Sequence, residues 1–391
     1  MSVRSNAPGS ARLRVDIVGS FLRPAGLKRA FADHANGLID DAALRREQDQ
    51  AIRDLVAEED RRGLPVVTDG EYRRSNFMES FRDVAGMAGW AARLRASLSA
   101  AASQENAGES KPATPTKPTP GANPMHRLGE PATERLRLID NGPLGEYEFA
   151  RGLARSQVKM SLINVDRLVS GFDVGDPASV YETAEEFVAD IVAVQREIVE
   201  GLRASGCPYI QIDGPEYTAF VDPPSLAAME ERGEVPLERL ERAIAADNAV
   251  IEGFTDITFG MHLCRGNRHS KWHREGFYDA IAERVFSGLA HGRLLLEYDD
   301  ERSGDFRPLR FVPKDKTVVL GLITTKTSRL ETKDELKRRI EEASAYLPAE
   351  QLALSPQCGF ASDIVGNVIT EDAQWRKLEL MLETADEIWG S

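Results

Sequence analysis

Four residues of types that commonly bind zinc follow short apolar runs of the sequence. His262 and Cys264 lie two positions apart in MHLCRGNRHSKWH (261–273), so both side chains would point the same way in an extended strand. Glu297 ends a second apolar run and Cys358 ends a third. An imidazole, a carboxylate and two thiolates together suit a tetrahedral zinc ion. If the three runs end at one face of the protein, these four side chains predict a zinc site.

Each of these residues also has a simpler explanation when it is taken alone. Cys358 could be a small apolar residue of a strand, and Glu297 could begin the solvent-exposed acidic run EYDDER. We interpret Cys207 as structural because it lies at the start of a predicted strand, away from the strand ends. His269 and His273 fall in a predicted loop, where a surface position is the expectation and a substrate contact is the alternative. The zinc prediction therefore depends on the four residues taken together.

The elements that would position these residues alternate regularly. Eight runs rich in Val, Ile and Leu recur along the chain, and most precede a segment with the apolar spacing of a helix. The runs span 14–21, 65–71, 157–164, 208–214, 256–264, 293–299, 317–324 and 352–358. The predicted helices span 41–62, 180–204, 236–253, 276–289, 333–346 and 372–389. Eight strand and helix units predict an α/β fold, a (β/α)8 TIM barrel, whose active site lies at the C-terminal ends of the strands.

The segment TKDELKRRIEEASAYL contains the clearest signal for a helix start. Thr332 can cap the helix, and Glu335 three residues later completes a capping box. Leu336 and Ile340 then fall on one face of the helix predicted over 333–346.

The domain organisation follows from length and local composition. With 391 residues and 42% hydrophobic content, the chain can form one large α/β domain. We predict a single barrel over 14–391, preceded by a disordered extension at 1–13. The stretch 97–124, rich in Ala, Ser, Pro, Thr and Gly, has almost nothing to bury and is predicted to be a flexible insertion after the second strand.

Charge and composition favour a small-molecule partner. A formal charge of −14 argues against nucleic acid and anionic membrane surfaces, and no apolar run has the length of a membrane span. Three scattered cysteines fit a reducing compartment, and the N-terminal stretch lacks the apolar core of a secretory signal. We therefore expect a cytoplasmic protein, and the sequence leaves homo-oligomerisation open.

Seven motifs, in order along the chain, resemble one known family. They are VGSFLRP (18–24), TDGEYRRS (68–75), IQIDGPEY (210–217), HLCRGN (262–267), LLLEYDDERSGDF (294–306), LGLITTKTSRLE (320–331) and LSPQCGFAS (354–362). These segments resemble the catalytic barrel of cobalamin-independent methionine synthase and its shorter single-domain relatives. The resemblance implies a methyltransferase that methylates the thiol of homocysteine. It also implies a zinc ion on His262, Cys264, Glu297 and Cys358, the set reached above from residue types.

The resemblance implies amino-acid recognition by Ser20, Glu71 and Asp213. A hydroxyl and backbone pocket after the first strand can take the substrate carboxylate, and two carboxylates can hold its ammonium group. The alternative for the two acidic residues is a buried structural carboxylate paired with an arginine. Arg23 and Arg73 are candidate anion contacts, and either could instead be an ordinary salt-bridge partner.

Three departures from the family pattern bear on the second substrate. The chain has no room for the second, N-terminal barrel that helps to bind the folate donor, so methyl-folate and a methyl-corrinoid both stay candidate donors. Lys326 stands where long members carry a histidine implicated in proton delivery, and we predict a catalytic role for it and for Asp213. Gly214 replaces a family glutamate.

Two other functions fit the same residues. The first is alkyl transfer to another small thiol, such as epoxide opening by a coenzyme-M-like thiol. A sulfonate thiol should need arginines in the pocket, whereas an amino-acid thiol should need the two carboxylates. The second is a zinc-bearing barrel that binds a thiol metabolite without turning it over.

Overall fold

A computed structural model describes residues 13–87, 89 and 131–390. The predicted insertion at 97–124 and nearly all of the predicted extension at 1–13 lie outside the described residues, so both stay predictions. The strands are β1 (Val66–Val67), β2 (Val84–Ala85), β3 (Arg137–Leu138), β4 (Gln157–Ile163), β5 (Tyr209–Asp213), β6 (Thr258–Leu263), β7 (Arg293–Glu297), β8 (Thr317–Ile323) and β9 (Leu352–Pro356).

Ten α-helices connect or flank these strands in the described part of the chain. They are α1 (Ala25–Ala35), α2 (Asp41–Arg61), α3 (Gly142–Arg151), α4 (Val165–Val169), α5 (Ala184–Ala204), α6 (Pro223–Glu231), α7 (Pro236–Ile251), α8 (Ala282–Gly288), α9 (Lys333–Ser344) and α10 (Glu371–Trp389). Short 3₁₀ helices span Phe77–Phe81, Pro215–Val221, Tyr278–Ala280, Glu301–Ser303, Arg307–Phe311 and Ala349–Gln351. None of the helices among the described residues is long and apolar enough to cross a membrane.

Seven parallel strands form one curved sheet in the order β1-β4-β5-β6-β7-β8-β9. The extended segment at 14–21 lies between the two edges of this sheet. Val15 pairs with Leu354 of β9, and the Phe21 amide donates to the carbonyl of Gly70, just after β1, at 3.3 Å. The eight predicted runs therefore build the barrel, which confirms the predicted fold class. The first run forms only one ladder pair and bends at Gly19, where φ is +136°.

The helix predictions hold where capping and apolar spacing agree. The capping box at α9 is present, because Thr332 Oγ1 accepts from the Glu335 amide and Glu335 accepts from the Thr332 amide. The helix predicted over 276–289 is wrong in its first part, since only Ala282–Gly288 is α-helical. Gly276 explains the difference: its φ is +142°, and a Cβ atom there would lie 1.9 Å from the carbonyl oxygen of Val221. Helices α1, α3, α4 and α6 were not predicted.

The inward face of β7 shows how the barrel interior is layered. Arg293, Leu295 and Glu297 alternate along the strand, so all three point into the barrel. Arg293 joins a buried ion-pair cluster, in which Asp16 also accepts from Lys159 at 2.9 Å. Leu295 belongs to a small apolar layer with three other buried side chains, Val18, Val319 and Ala353. Glu297 lies beyond this layer, at the C-terminal ends of the strands.

Candidate metal site and substrate pocket

Strand register brings the four predicted zinc ligands to one point. His262 pairs with Leu295 in the ladder between β6 and β7, so Cys264 and Glu297, each two residues further on, lie at the same level. The candidate ligand atoms of these residues and of Cys358 all lie within 4.8 Å of one another. The two sulfur atoms are 3.6 Å apart. The structure thus assembles all four residues that were predicted as a metal site.

The chemistry of this cluster fits a zinc ion. The His262 ring is buried beside the Cys358 sulfur, and neither ring nitrogen bonds to an oxygen or nitrogen atom of the described residues, so a strong ligand atom is available to a metal. The two thiols are hydrogen-bonded to each other, and this bond, the adjacent His262 ring and the Lys326 ammonium hold the pKa of Cys358 well below its usual value. A thiolate is the form of cysteine that binds metal. Two sulfur donors, one nitrogen and one oxygen form a set typical of tetrahedral zinc.

Residues around the cluster hold the Glu297 carboxylate in place. Its Oε1 accepts from the Arg265 amide at 2.7 Å, and its Oε2 accepts from the Arg302 guanidinium at 3.0 Å. Burial raises the pKa of Glu297, while Lys326 and Arg302 oppose that effect with positive charge. Such outer contacts orient metal ligands and set their basicity. Arg302 was not among the predicted site residues, because nothing in its spacing from Glu297 predicts the contact.

Lys326, predicted to be catalytic, lies behind the wall of the pocket. Its ammonium group is buried and donates to Asn267 Oδ1 at 3.2 Å and to the Gly266 carbonyl at 3.4 Å. Asn267 in turn donates to the Gly359 carbonyl at 2.6 Å. The lysine therefore joins the loop after β8 to the loop after β6, and Asn267 joins the loop after β6 to the loop that carries Cys358. Its predicted proton-transfer role stays a prediction.

A cavity opens over these four candidate ligands at the C-terminal end of the barrel. Its empty volume, which includes the open solvent at the mouth, is about 880 Å³. Three residues predicted to recognise the substrate, Ser20, Glu71 and Asp213, line it together with Cys264 and Cys358. The structure thus places the predicted amino-acid contacts and the predicted thiol-binding metal site on one cavity.

Glu71 is held in an unusual backbone conformation at the cavity wall. Its φ is +59°, a value that residues other than glycine rarely adopt. Residues with such backbone conformations are often found at functional sites. Ser161 donates to Oε1 at 2.7 Å, whereas Oε2 is buried with no hydrogen-bond partner among the described residues. Burial raises the pKa of the carboxyl. The nearest arginine, Arg74, is 3.9 Å away and bonds mainly to Glu146, so a simple arginine pair does not account for Glu71.

Asp213 ends β5 and pairs in the ladder with His262. Its Oδ1 accepts from the side-chain amide of Gln211 at 2.7 Å. No donor among the described residues bonds its Oδ2, and the residue lines the cavity. Burial raises the pKa of Asp213 to about 7. Gln211 was not among the predicted site residues, although its two-residue spacing from Asp213 on one strand predicts that both side chains face the interior.

The two predicted arginine contacts lie away from the cavity wall. The Arg23 guanidinium donates to the backbone carbonyls of Glu71 and Arg74 on one side and of Ala361 and Asp363 on the other. It therefore joins two loops at the mouth of the barrel, and its predicted role in substrate binding gains no support from these contacts.

Arg73 donates to Asp49 at 2.7 Å, which matches the salt-bridge alternative.

Cys207 is buried, and burial raises the pKa of its thiol to about 12, in line with a structural role. His273 lines the cavity, and His269 lies in the same loop with a φ of +48°.

Gly214, which replaces a family glutamate, has no room for a side chain. A Cβ atom at this position would lie 2.7 Å from the ring of Tyr217 and 2.8 Å from the sulfur of Met261. The Tyr217 ring is fixed, because its hydroxyl donates to Asp247 at 2.7 Å. An aromatic ring therefore occupies the space that a glutamate at position 214 would need.

This is the arrangement of an α/β-barrel enzyme, with a cysteine-rich candidate metal site below an open cavity. Residues 177–386 match the family described as Cobalamin-independent synthase, Catalytic domain. The chain is 35% identical over 388 residues to the uncharacterized protein YxjH of Bacillus subtilis (strain 168), with 97% of this chain and 95% of YxjH covered. The chain therefore belongs to the cobalamin-independent methionine synthase family.

Two further relatives extend this comparison. The chain is 24% identical over 358 residues to Methionine synthase of Pyrococcus abyssi (strain GE5 / Orsay), with 89% of this chain and 86% of that protein covered. A crystal structure of a Listeria monocytogenes protein assigned as a vitamin-B12 independent methionine synthase matches with a TM-score of 0.71 and 27% identity, over 98% of this chain and 99% of that one. These matches confirm the predicted resemblance and the methyltransferase class. Enzymes of this family are zinc-dependent, which agrees with the predicted cofactor.

Proposed function

We propose that this protein methylates the thiol of homocysteine to give methionine, with a zinc ion held by His262, Cys264, Glu297 and Cys358. The observation that carries this proposal is the position of Glu71 and Asp213 on the wall of the cavity that also exposes the cysteine ligands. An ammonium group near the carboxylates would leave the other end of a short amino-acid thiol directed at the metal cluster.

The chain's own residues supply binding, orientation and protection from water. Glu71 Oε2 and Asp213 Oδ2 each lack a protein donor among the described residues, so each can accept from a substrate ammonium group. Ser20 lies beside them and can donate to the substrate carboxylate. When bound, zinc lowers the pKa of a thiol that contacts it and so keeps the sulfur nucleophilic near neutral pH. Methyl transfer to the ionised thiol forms the S–CH₃ bond and breaks the bond between the methyl group and its donor, and the donor leaves with that bond's electron pair and takes up a proton in place of the one that the thiol lost.

Lys326 takes a supporting role in this proposal. Its ammonium group adds positive charge beside Glu297 and Cys358 and favours their ionised, metal-binding forms. For the methyl donor, family membership supports a methylated folate. The methyl-corrinoid alternative and homo-oligomerisation gain no support from the relatives.

Metal content and zinc-edge X-ray absorption, with and without homocysteine, test the proposal. We expect about one zinc per chain, with a further sulfur ligand when homocysteine is added. Cys264→Ser and Cys358→Ser should lose zinc and methionine formation, because each removes a thiolate ligand. Cys207→Ser is the matched control, since this buried cysteine lies outside the cluster. Zinc that does not respond to homocysteine would point to another thiol, and an active, metal-free double variant would contradict the mechanism.

A further inference from the structure

Gln211 lies directly beneath Asp213 on the inward face of β5 and is fully buried. Its side-chain NH₂ group donates to Asp213 Oδ1 at 2.7 Å and to the Val18 carbonyl at 2.9 Å. Its Oε1 accepts from the Lys159 ammonium at 2.8 Å. Both amide hydrogens and the amide oxygen therefore have partners of the right kind.

This bonding pattern fixes the orientation of the amide. A rotated amide would place NH₂ against the Lys159 ammonium and oxygen against a carboxylate and a carbonyl, so three hydrogen bonds would be replaced by three repulsive contacts. Lys159 cannot move away, because its other hydrogens are donated to Asp16 Oδ1 at 2.9 Å and to the Ile17 carbonyl. Asp16 is itself held by the Tyr209 hydroxyl at 2.8 Å. A continuous buried network thus runs from the ion-pair cluster to Asp213.

We propose that Gln211 is a positioning residue for substrate recognition, which holds Asp213 so that its Oδ2 faces the cavity and meets the ammonium group of the thiol substrate. The inference rests on the proposed function and extends it to a residue that touches no substrate. Because the amide donates to Oδ1, that oxygen is already engaged and the negative charge is directed through Oδ2. The network therefore favours thiols that carry an ammonium group over thiols of the same length without one.

Two substitutions separate this role from simple packing. Gln211→Met keeps a side chain of similar length and removes all three hydrogen bonds. Gln211→Glu keeps a partner for the buried Lys159 ammonium but turns an acceptor toward Asp213 and the Val18 carbonyl, so the positioning of Asp213 is lost. Gln351→Met is the matched control, because Gln351 is another buried glutamine that donates to two backbone carbonyls, those of Pro313 and Lys316.

The experiment measures the affinity of the zinc-loaded protein for two probes by titration calorimetry. The probes are homocysteine and 4-mercaptobutanoate, which is homocysteine without its amino group. Both Gln211 variants should weaken homocysteine binding by about tenfold or more, with 4-mercaptobutanoate binding and zinc content unchanged. KM for homocysteine should rise while kcat at saturation stays close to that of the wild type. In an Asp213→Asn background, Gln211→Met should have no further effect on homocysteine affinity.

Three outcomes would overturn the inference. Equal losses for both probes would show that Gln211 is merely structural, and unchanged homocysteine affinity would show that Asp213 needs no support. A wild-type protein that binds homocysteine no better than 4-mercaptobutanoate would overturn the proposed function and this inference with it. In the first two cases the wild type still prefers homocysteine, so a failure of the inference about Gln211 can be distinguished from a failure of the proposed function.

Discussion

The contact between Arg302 and Glu297 allows a quantitative test of how the surrounding residues support the metal site. The buried Arg302 guanidinium forms ion pairs with three carboxylates, those of Glu297, Asp299 and Asp300. Arg302→Lys keeps the charge but replaces a planar fork by a single ammonium group, which cannot reach all three acids in the same geometry. We expect the variant to fold and to bind zinc more weakly.

The magnitude follows from what Glu297 keeps and what it loses. It keeps the Arg265 amide at 2.7 Å on Oε1 and loses the 3.0 Å contact of Oε2 with Arg302. Burial already raises the pKa of this carboxyl, so a positive charge that no longer contacts Oε2 lets a proton compete better with the metal. Changes to the outer partners of metal ligands cost about 10- to 100-fold in affinity, and we expect a loss in this range that grows as the pH falls.

Competition with a zinc chelator of known affinity measures this loss directly, without any assay of methyl transfer. Arg307→Lys is the matched control, because Arg307 lies on the same stretch of chain but pairs with Asp305 at the surface. The control should bind zinc as the wild type does. An Arg302→Lys protein with wild-type zinc affinity and a wild-type melting curve would refute the idea that this arginine supports Glu297 as a ligand.

Three further predictions concern the pocket, the core and a helix cap. Asp213→Asn should weaken homocysteine binding by about 10- to 100-fold in calorimetry with zinc retained, because it removes one charged acceptor; unchanged affinity would contradict its assignment. Burial, together with the positive charge of Lys316, lowers the pKa of His291 from 6.5 to about 3, so the unfolded chain binds the proton more tightly and stability falls as the pH drops below about 6.5. Between about pH 7 and pH 5, the free energy of unfolding of the wild type should therefore fall by about 2 kcal/mol more than that of His291→Leu, as measured by denaturant unfolding. Parallel pH profiles of the two proteins would refute this. Thr332→Ala should cost about 1 kcal/mol of stability in the same assay, whereas no loss would mean that the capping box is not needed.

Strand alternation and residue chemistry were enough to predict which four residues form the candidate metal site. His262 and Cys264 could be paired from their spacing alone, because two-residue periodicity is a local property of any strand. Glu297 and Cys358 followed from the rule that parallel strands in a barrel end at one face. The capping box at Thr332 and Glu335 was equally local. The pairing of His262 with Cys264 and the capping box depend on backbone geometry within a few residues, whereas the positions of Glu297 and Cys358 depended on the predicted barrel.

Contacts between segments that are distant along the chain could not be predicted from the sequence. The Arg23 guanidinium could not be distinguished from a substrate contact until its four carbonyl acceptors, in two separate loops, came together. Likewise, the helix expected from position 276 fails at its start because Gly276 has a φ of +142°, far from helical values, where it packs against the carbonyl of Val221, more than fifty residues earlier.

The division has one physical reason. The sequence determined which residues could bind a metal and which strand ends they follow, since residue type and backbone periodicity are local. Only the tertiary structure decided what surrounds them: that Arg302 turns back onto Glu297, that Glu71 adopts a φ of +59°, and that Gln211 connects Asp213 to Lys159. Those relations depend on the register of strands and the paths of loops, and the free energy that selects them comes from packing the whole barrel.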